Sequence, residues 1–400
     1  MQRFVIATLP LTAVVVALGL AAAWAPAPAA AQAPEAAQGG RAGGQGRGGG
    51  GRGGGPTMAP SALRAIPAET TAARAKDPNW KAPRTAWGHP DLEGTWSSDD
   101  MRGVPATRPA AMADRESLTP EEFARRAGGD EASRDRAVNQ ETILRNEFGV
   151  RTFGYTSVVV DPPNGQMPSI TPAAAARRKA EAGVGTFGTR PLNTFEDFSL
   201  YDRCITRGIG GINPVLYGNG LLIAQTPTEV VISYEMIHDT RIIPLDGRPR
   251  AVGPAMKLWM GDSRGRWDGD TLVVETTNFT DRTSISGLHS DKLKLTERFT
   301  RIDPDMIDYR LTVEDPETWT APFTLRYTIT QQPGYRLYEY SCHEGNTAVS
   351  QGLSSERAVD RMEAELRAKG LPVPPRANRG MDVYGAPDRA LPVRDVNSGK

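Results

Sequence analysis

The sequence predicts a mainly β fold: an antiparallel up-and-down meander of about eight or nine strands, closed into a barrel or bent into a strongly curved sheet. A few short helices and long irregular segments accompany it. Three observations predict this. Between residues 221 and 342, short runs rich in Val, Ile, Leu, Thr and Tyr follow one another at strand length. Most are separated by tight turns, which can join only antiparallel neighbours. Gly and Pro are abundant, 42 and 32 of 400 residues, so the chain turns often.

The helices come first in chain order. In "SLTPEE" (residues 117–122) Thr119 suits the N-cap and Pro120 the first helical position, with two acids in the first turn. "TPAAAARRKAEAG" (171–183) repeats this logic and stops at Gly183. A third helix is predicted over 354–369, with Val359, Met362 and Leu366 as its apolar stripe and Gly370 past its end.

The strands lie between the second and third helices. "LLIAQ" (221–225) and "EVVISYEMI" (229–237) flank "TPT", and "RIIPL" (241–245) ends at Asp246-Gly247. "RGRWDGDTLVVE" (264–275) carries Asp268-Gly269, the strongest hairpin signal in the chain. Residues 292–302 alternate, break at "DPD" and resume as "MIDYRLTV" (306–313). Residues 323–330 break at "QQPG" and resume over 335–342. A meander of this length hides its edges best by closing on itself.

The ends are different. Arg3, the apolar run of residues 4–24 and the small residues around 29–33 form a secretory signal peptide over 1–33. The same run is long enough to span a bilayer if it stays uncleaved. Residues 34–79 read as a disordered linker, almost pure Gly and Arg over 39–55, which cannot bury enough apolar surface to order itself. A single β-rich domain is predicted over 80–370: an irregular part (80–200), the meander (201–345) and the last helix. Residues 371–400 read as a weakly ordered tail. With 47 basic and 47 acidic residues, the charge balance does not steer the chain toward a polyanion. Neither nucleic acid binding nor a membrane span after cleavage is expected, and oligomeric state is not readable.

Chemistry gathers in two stretches. "YEYSCHEGN" (338–346) holds Cys342, His343 and Glu344. On a strand, Tyr338, Tyr340, Cys342 and Glu344 would share one face and His343 the other. Cys342 has one possible partner, Cys204; a disulfide, two buried thiols and a reactive or ligating thiol all remain open. In "EMIHDTR" (235–241) alternation puts Tyr234, Met236 and His238 on one face and Glu235, Asp239 and Arg241 on the other. His238 and His343 are candidate acid–base residues, and with Glu344 a candidate metal set. Glu235, Asp239 and Arg241 form a candidate carboxylate–guanidinium network or polar grip. Tyr234, Trp267 and Tyr340 are further binding candidates. "GDSRG" (261–265) matches a nucleophile elbow in letters but lacks the following helix, so it reads as a polar turn. No motif names a cofactor.

The segments "WGHPDLEGTW", "VVVDPPNGQMPSITP", "DRC", "MIHDTRIIPLDGRP", "WMGDSRGRWDGDTLVVETTNF" and "YEYSCHEGN" occur in that order. Together they resemble a family of uncharacterised exported bacterial proteins over residues 87–356, from which no catalytic residue transfers. Gly94-Thr-Trp96 is similar to the Gly-x-Trp signature of lipocalins, and the Trp267-Asp-Gly269 hairpin to the meander of fatty-acid-binding proteins. That resemblance implies a calycin-like barrel holding a small apolar ligand.

Three functions follow as expectations. The first is an exported, periplasmic or secreted barrel-like protein that binds a small, partly apolar molecule. The second is an enzyme using His238 and His343. The third is a structural or interaction module of the cell envelope.

Overall fold

Alternation of apolar and polar residues builds the molecule around one large sheet. The computed structural model describes residues 64–66, 80–112, 114–139, 149–181, 191–209, 214–215, 218–250, 252–282, 289–331 and 335–374. The signal peptide, nearly all of the linker and most of the tail lie outside the described residues, as does Gly183.

In chain order the strands are β1 (Arg64–Ile66), β2 (Gly94–Ser97), β3 (Arg151–Phe153), β4 (Val159–Asp161), β5 (Gly220–Gln225), β6 (Glu229–Tyr234), β7 (Thr240–Pro244), β8 (Asp262–Asp268), β9 (Thr271–Thr277), β10 (Lys294–Asp303), β11 (Met306–Glu314) and β12 (Phe323–Thr330). The helices are α1 (Pro120–Asn139), α2 (Pro172–Glu181) and α3 (Ala348–Ala368). The main sheet runs β7-β6-β5-β2-β12-β11-β10-β9-β8, with β4 also paired to β12. Its pairings are antiparallel. Two meander blocks, β5–β7 and β8–β12, are thus joined side by side through β2. Gly269, at φ 59°, takes the first central position of the β8–β9 hairpin, where a positive φ is required.

Four expectations change. The sheet is not closed: β7 and β8 are its two ends, and no ladder joins them. Their side chains do meet, since a Cβ on Gly265 of β8 would lie 2.7 Å from Leu245 and 2.9 Å from Ile243 of β7. Residues 335–341 form no strand, because β12 already has β11 on one side and β2 and β4 on the other. The predicted polar turn over 261–265 is the start of β8. Arg64–Ile66, inside the predicted linker, pairs in parallel with β3.

The first and last helices are longer than expected. Thr119 caps α1, its hydroxyl accepting from the Glu122 amide while the Glu122 carboxylate accepts from the Thr119 amide, a capping box. The Thr171 hydroxyl accepts from the Ala174 amide at the start of α2. α3 begins at Ala348, six residues before the predicted start, with Gly352 set against Phe198 too closely for a Cβ. No helix among the described residues is long and apolar enough to cross a membrane.

The core lies on the concave face of the sheet. Trp96, Leu272, Leu295, Phe299, Ile307 and Tyr309 are all buried there, and Trp96 donates its Nε1–H to the Leu92 carbonyl at 2.9 Å. Fully burying each such side chain contributes roughly 1.5–3 kcal/mol.

Candidate functional site

Two buried charged side chains interrupt the apolar concave face. Arg241 of β7 faces Ile232 of β6 in register, and Glu297 of β10 sits between Leu295 and Phe299 in the alternation. Both are buried. Arg241 grips Glu297 with two bonds, Nη1 to Oε1 at 3.0 Å and Nη2 to Oε2 at 2.6 Å. Nη2 also donates to Ser263 of β8 at 3.0 Å and Thr276 of β9 at 3.3 Å, and Nη1 to the Tyr234 hydroxyl at 3.3 Å. Tyr309 donates to Glu297 Oε1 at 3.0 Å. One guanidinium therefore ties together β7, β8, β9 and β10, across the gap that no ladder spans.

Burial opposes charge here, and the fold answers with opposite charge. Burial, the largest single cause, lowers the Arg241 pKa, but Glu297 and Tyr234 together outweigh it and hold the guanidinium above its ordinary range. Burial first, then the Glu297 charge, holds Tyr309 well above the usual phenol range. Burial likewise raises Tyr234 and Tyr327. The tyrosines stay protonated and serve as donors or packing groups. The expected Glu235–Asp239–Arg241 network is not formed, because the guanidinium turns inward to Glu297.

The cause is the turn between β6 and β7. The strand ends at Tyr234, and residues 236–238 form a short 3₁₀ turn. Ile237 and His238 take positive φ, 70° and 58°. For a β-branched residue this is a costly conformation, of order 1–3 kcal/mol, and such strain gathers at functional sites. Alternation is lost through the turn, so Tyr234 and Arg241 share the interior. His238 does not line an inner wall; it is exposed at the turn.

Beside this turn lies a cleft lined by Thr206, Arg207, Gly208, Gly218, Gly220, Tyr234, Met236 and Asp239, with about 10 Å³ of enclosed space. That is room for about one water-sized group. The Thr206 hydroxyl reaches both the Asp239 carboxylate and Met260 Sδ. Burial raises the half-buried Asp239 carboxyl above its ordinary value, against the Thr206 bond. Gly218, at φ 67°, leaves room for Met236, whose Cε would lie 2.8 Å from a Cβ there.

Residues 335–346 form a strap over the strained turn. The Glu235 carboxylate accepts from the Tyr335 hydroxyl and from the Tyr338 amide at 3.0 Å. His238 Nε2 accepts from the Tyr340 amide at 3.0 Å, and the Tyr340 and Tyr201 hydroxyls lie 2.8 Å apart. Cys204 and Cys342 form a disulfide, so neither is a free thiol. Asn346 donates to the Asp202 carbonyl and to Cys204 Sγ, both at 3.0 Å. Cys204 itself sits at φ 54°.

The structure gathers Tyr234, Glu235, His238, Asp239, Cys204, Tyr340 and Cys342 around this rim. It does not gather the others. His343 and Glu344 are exposed beyond the disulfide. Among the described residues no group of three His, Cys, Asp or Glu could hold a metal, so His238, His343 and Glu344 form no metal set. Trp267 lies at the far end of β8, its ring 5.3 Å from His89. Glu297, Tyr309 and Thr206 were missed. Glu297 had a readable signal, a carboxylate where alternation demands an apolar residue; Thr206 had none.

A second buried acid lies beneath the cleft. Burial pushes the Asp99 carboxyl up to about 6, opposed by bonds from Ser97 and Asn219 and by the Arg102 charge. Asn219 stands between the cleft residues Gly218 and Gly220 and donates to Asp99 Oδ1 at 2.7 Å. A raised carboxyl stabilises the fold below the unfolded value near 4, and that contribution is lost as pH rises through about 6. The loss amounts to roughly 3 kcal/mol. Asp99→Asn keeps the acceptor for Asn219 and Arg102 and turns its amide toward the Ser97 hydroxyl. The variant is expected to flatten the decline in stability between pH 4 and 7, measured by urea unfolding across that range. An unchanged decline would show that Asp99 is not its source.

Compared with protein-family models, curated proteins and solved structures, the chain finds no match. Fold and site together define an open, strongly curved antiparallel β-sheet protein with a disulfide-strapped cleft at its rim.

Proposed function

We propose that this is an exported binding protein whose site is the rim cleft rather than the sheet interior. The supporting observation is the contrast between the two. The concave face is filled by Trp96, Phe299, Tyr309 and the Arg241–Glu297 pair, whereas the cleft presents the Asp239 carboxylate, the Thr206 hydroxyl and Met236 at the rim. Export rests on the N-terminal apolar run and its small-residue exit, and a disulfide suits an oxidising compartment. Enclosed space of about 10 Å³ accepts one terminal group, not a whole ligand. The ligand is a small, partly apolar molecule with a donor end, an alcohol or an ammonium. The donor end meets Asp239 and Thr206, and the apolar part lies along Met236.

Calorimetric titration with matched short alkyl ammonium ions, alcohols and carboxylates tests this. The ammonium and alcohol members bind, the carboxylates do not, and Thr206→Val, which removes the hydroxyl at near-constant volume, weakens binding about tenfold, the worth of one hydrogen bond. Failure of all members to bind, or equal binding of the carboxylates, would overturn the reading.

A further inference from the structure

We infer that His238 is a pH-sensitive latch for the strap of residues 335–346. The argument begins with a hydrogen bond whose direction is fixed. A backbone amide can only donate, so the bond from the Tyr340 amide to His238 Nε2 at 3.0 Å requires a bare lone pair on that nitrogen. The ring is then neutral, with its proton on Nδ1. An imidazolium has donors on both nitrogens and nothing to offer Tyr340. Imidazoles as a class change charge between pH 5 and 8, and the His238 side chain faces solvent.

The surroundings make the bond matter. His238 stands at the end of the strained turn, held at φ 58° next to Ile237 at φ 70°. A conformation of that kind persists only where neighbours enforce it. The strap is the neighbour that does so, through Glu235 before the strained pair and His238 within it. The charged and titratable groups on the elements packed here are Glu235 and Asp239 on the turn; Tyr335, Arg336, Tyr338, Glu339, Tyr340, His343 and Glu344 on the strap; and Tyr201, Asp202, Arg203 and Arg207 on the opposing segment. Of the turn and strap carboxylates, Glu235 is engaged by Tyr335 and Tyr338, Asp239 by Thr206 and Glu339 by Ser341, while Glu344 is exposed beyond the disulfide.

Protonation of His238 breaks the strap's backbone tether to the turn and leaves Glu235 on one side, the disulfide on the other and the Tyr340–Tyr201 hydroxyl contact to the opposing segment. The strap bows away from the turn without leaving the protein. Met236 and Asp239 flank the strained pair and line the cleft, so the latch also governs the cleft wall. That last consequence rests on the binding reading above; the latch itself does not.

Hydrogen exchange read by mass spectrometry on the disulfide-bonded mature protein tests the latch. Protection of the Tyr340 amide, corrected for intrinsic exchange, is expected to fall at least tenfold between pH 8 and pH 5. His238→Gln supplies a carbonyl acceptor that does not titrate, and it should hold protection level across the same range. Amides of β11 in the same samples report that the fold is intact. Level protection in the natural protein would overturn the proposal, as would an equal fall in His238→Gln. If that variant loses β11 protection, the midpoint of the His238 ring titration by NMR replaces it: a midpoint that differs from that of the Tyr340 amide also overturns the latch. Failure of the ligand titrations would leave the exchange result untouched, and the reverse holds.

Discussion

Truncating Arg241 or Glu297 to Ala is expected to destabilise the protein by about 3–5 kcal/mol. Either change strands a buried charge. In Arg241→Ala, Glu297 keeps only the Tyr309 hydroxyl; in Glu297→Ala, the guanidinium keeps only the hydroxyls of Ser263, Thr276 and Tyr234. The desolvation already incurred by both groups is then met by neutral partners alone. The double change Arg241→Met with Glu297→Leu removes both charges at similar volume and should fall within about 1 kcal/mol of the natural protein or above it. Urea unfolding of the three variants checks this, with Arg248→Ala as the control. Arg248 pairs with Glu229 and Asp246 at the exposed end of the sheet, and its loss should leave the midpoint unmoved. A single variant as stable as the natural chain would mean that water or rearranged side chains reach the pair. Arg241 also joins β7 to β8 where no ladder does. Its truncation should therefore loosen the β6–β7 hairpin first, which carries Met236 and Asp239 of the cleft.

The same pair shows what the sequence makes legible. Runs of period-two alternation bounded by turn residues define β5 to β12, and Asp268-Gly269 locates its hairpin to the residue. Those signals are local, and each strand carries its own. Facing across a turn is not local. The five turn residues 235–239 between β6 and β7 erase the parity on which the Glu235–Asp239–Arg241 grouping depended. Residues 335–340 read as a strand, yet β12, the strand just before them, offers no free edge, because β2 and β4 arrive from earlier in the chain to occupy its other side. Closure is likewise a question of edges. Pro244 removes a donor from the end of β7, and a long connection rather than a tight turn leads from it to β8. The cleft is illegible for the same reason, since Thr206, Gly218 and Asp239 belong to three segments that meet only in space.

Replacing Cys204 or Cys342 with Ser is expected to cost about 2–5 kcal/mol, the upper end being the chain-entropy value for a bridge closing so long a loop. The separation is 138 residues, so the bridge restricts the unfolded chain from the turn before the cleft to the strap. Its role in the native state is narrower. Without it, Asn346 still donates to the Asp202 carbonyl, Tyr201 still meets Tyr340, and Glu235 and His238 still hold the strap amides. The sheet shares none of these contacts. The expected outcome is thus divided: a lower urea midpoint, exchange in β11 that quickens only by the factor the lower global stability accounts for, and a larger acceleration confined to residues 335–346 and the strained turn. If exchange in β11 accelerates beyond that factor, the bridge supports the whole sheet, and the strap cannot move as a separate unit. If only the strap responds, the disulfide is the anchor that lets a protonated His238 release its neighbour without releasing the chain.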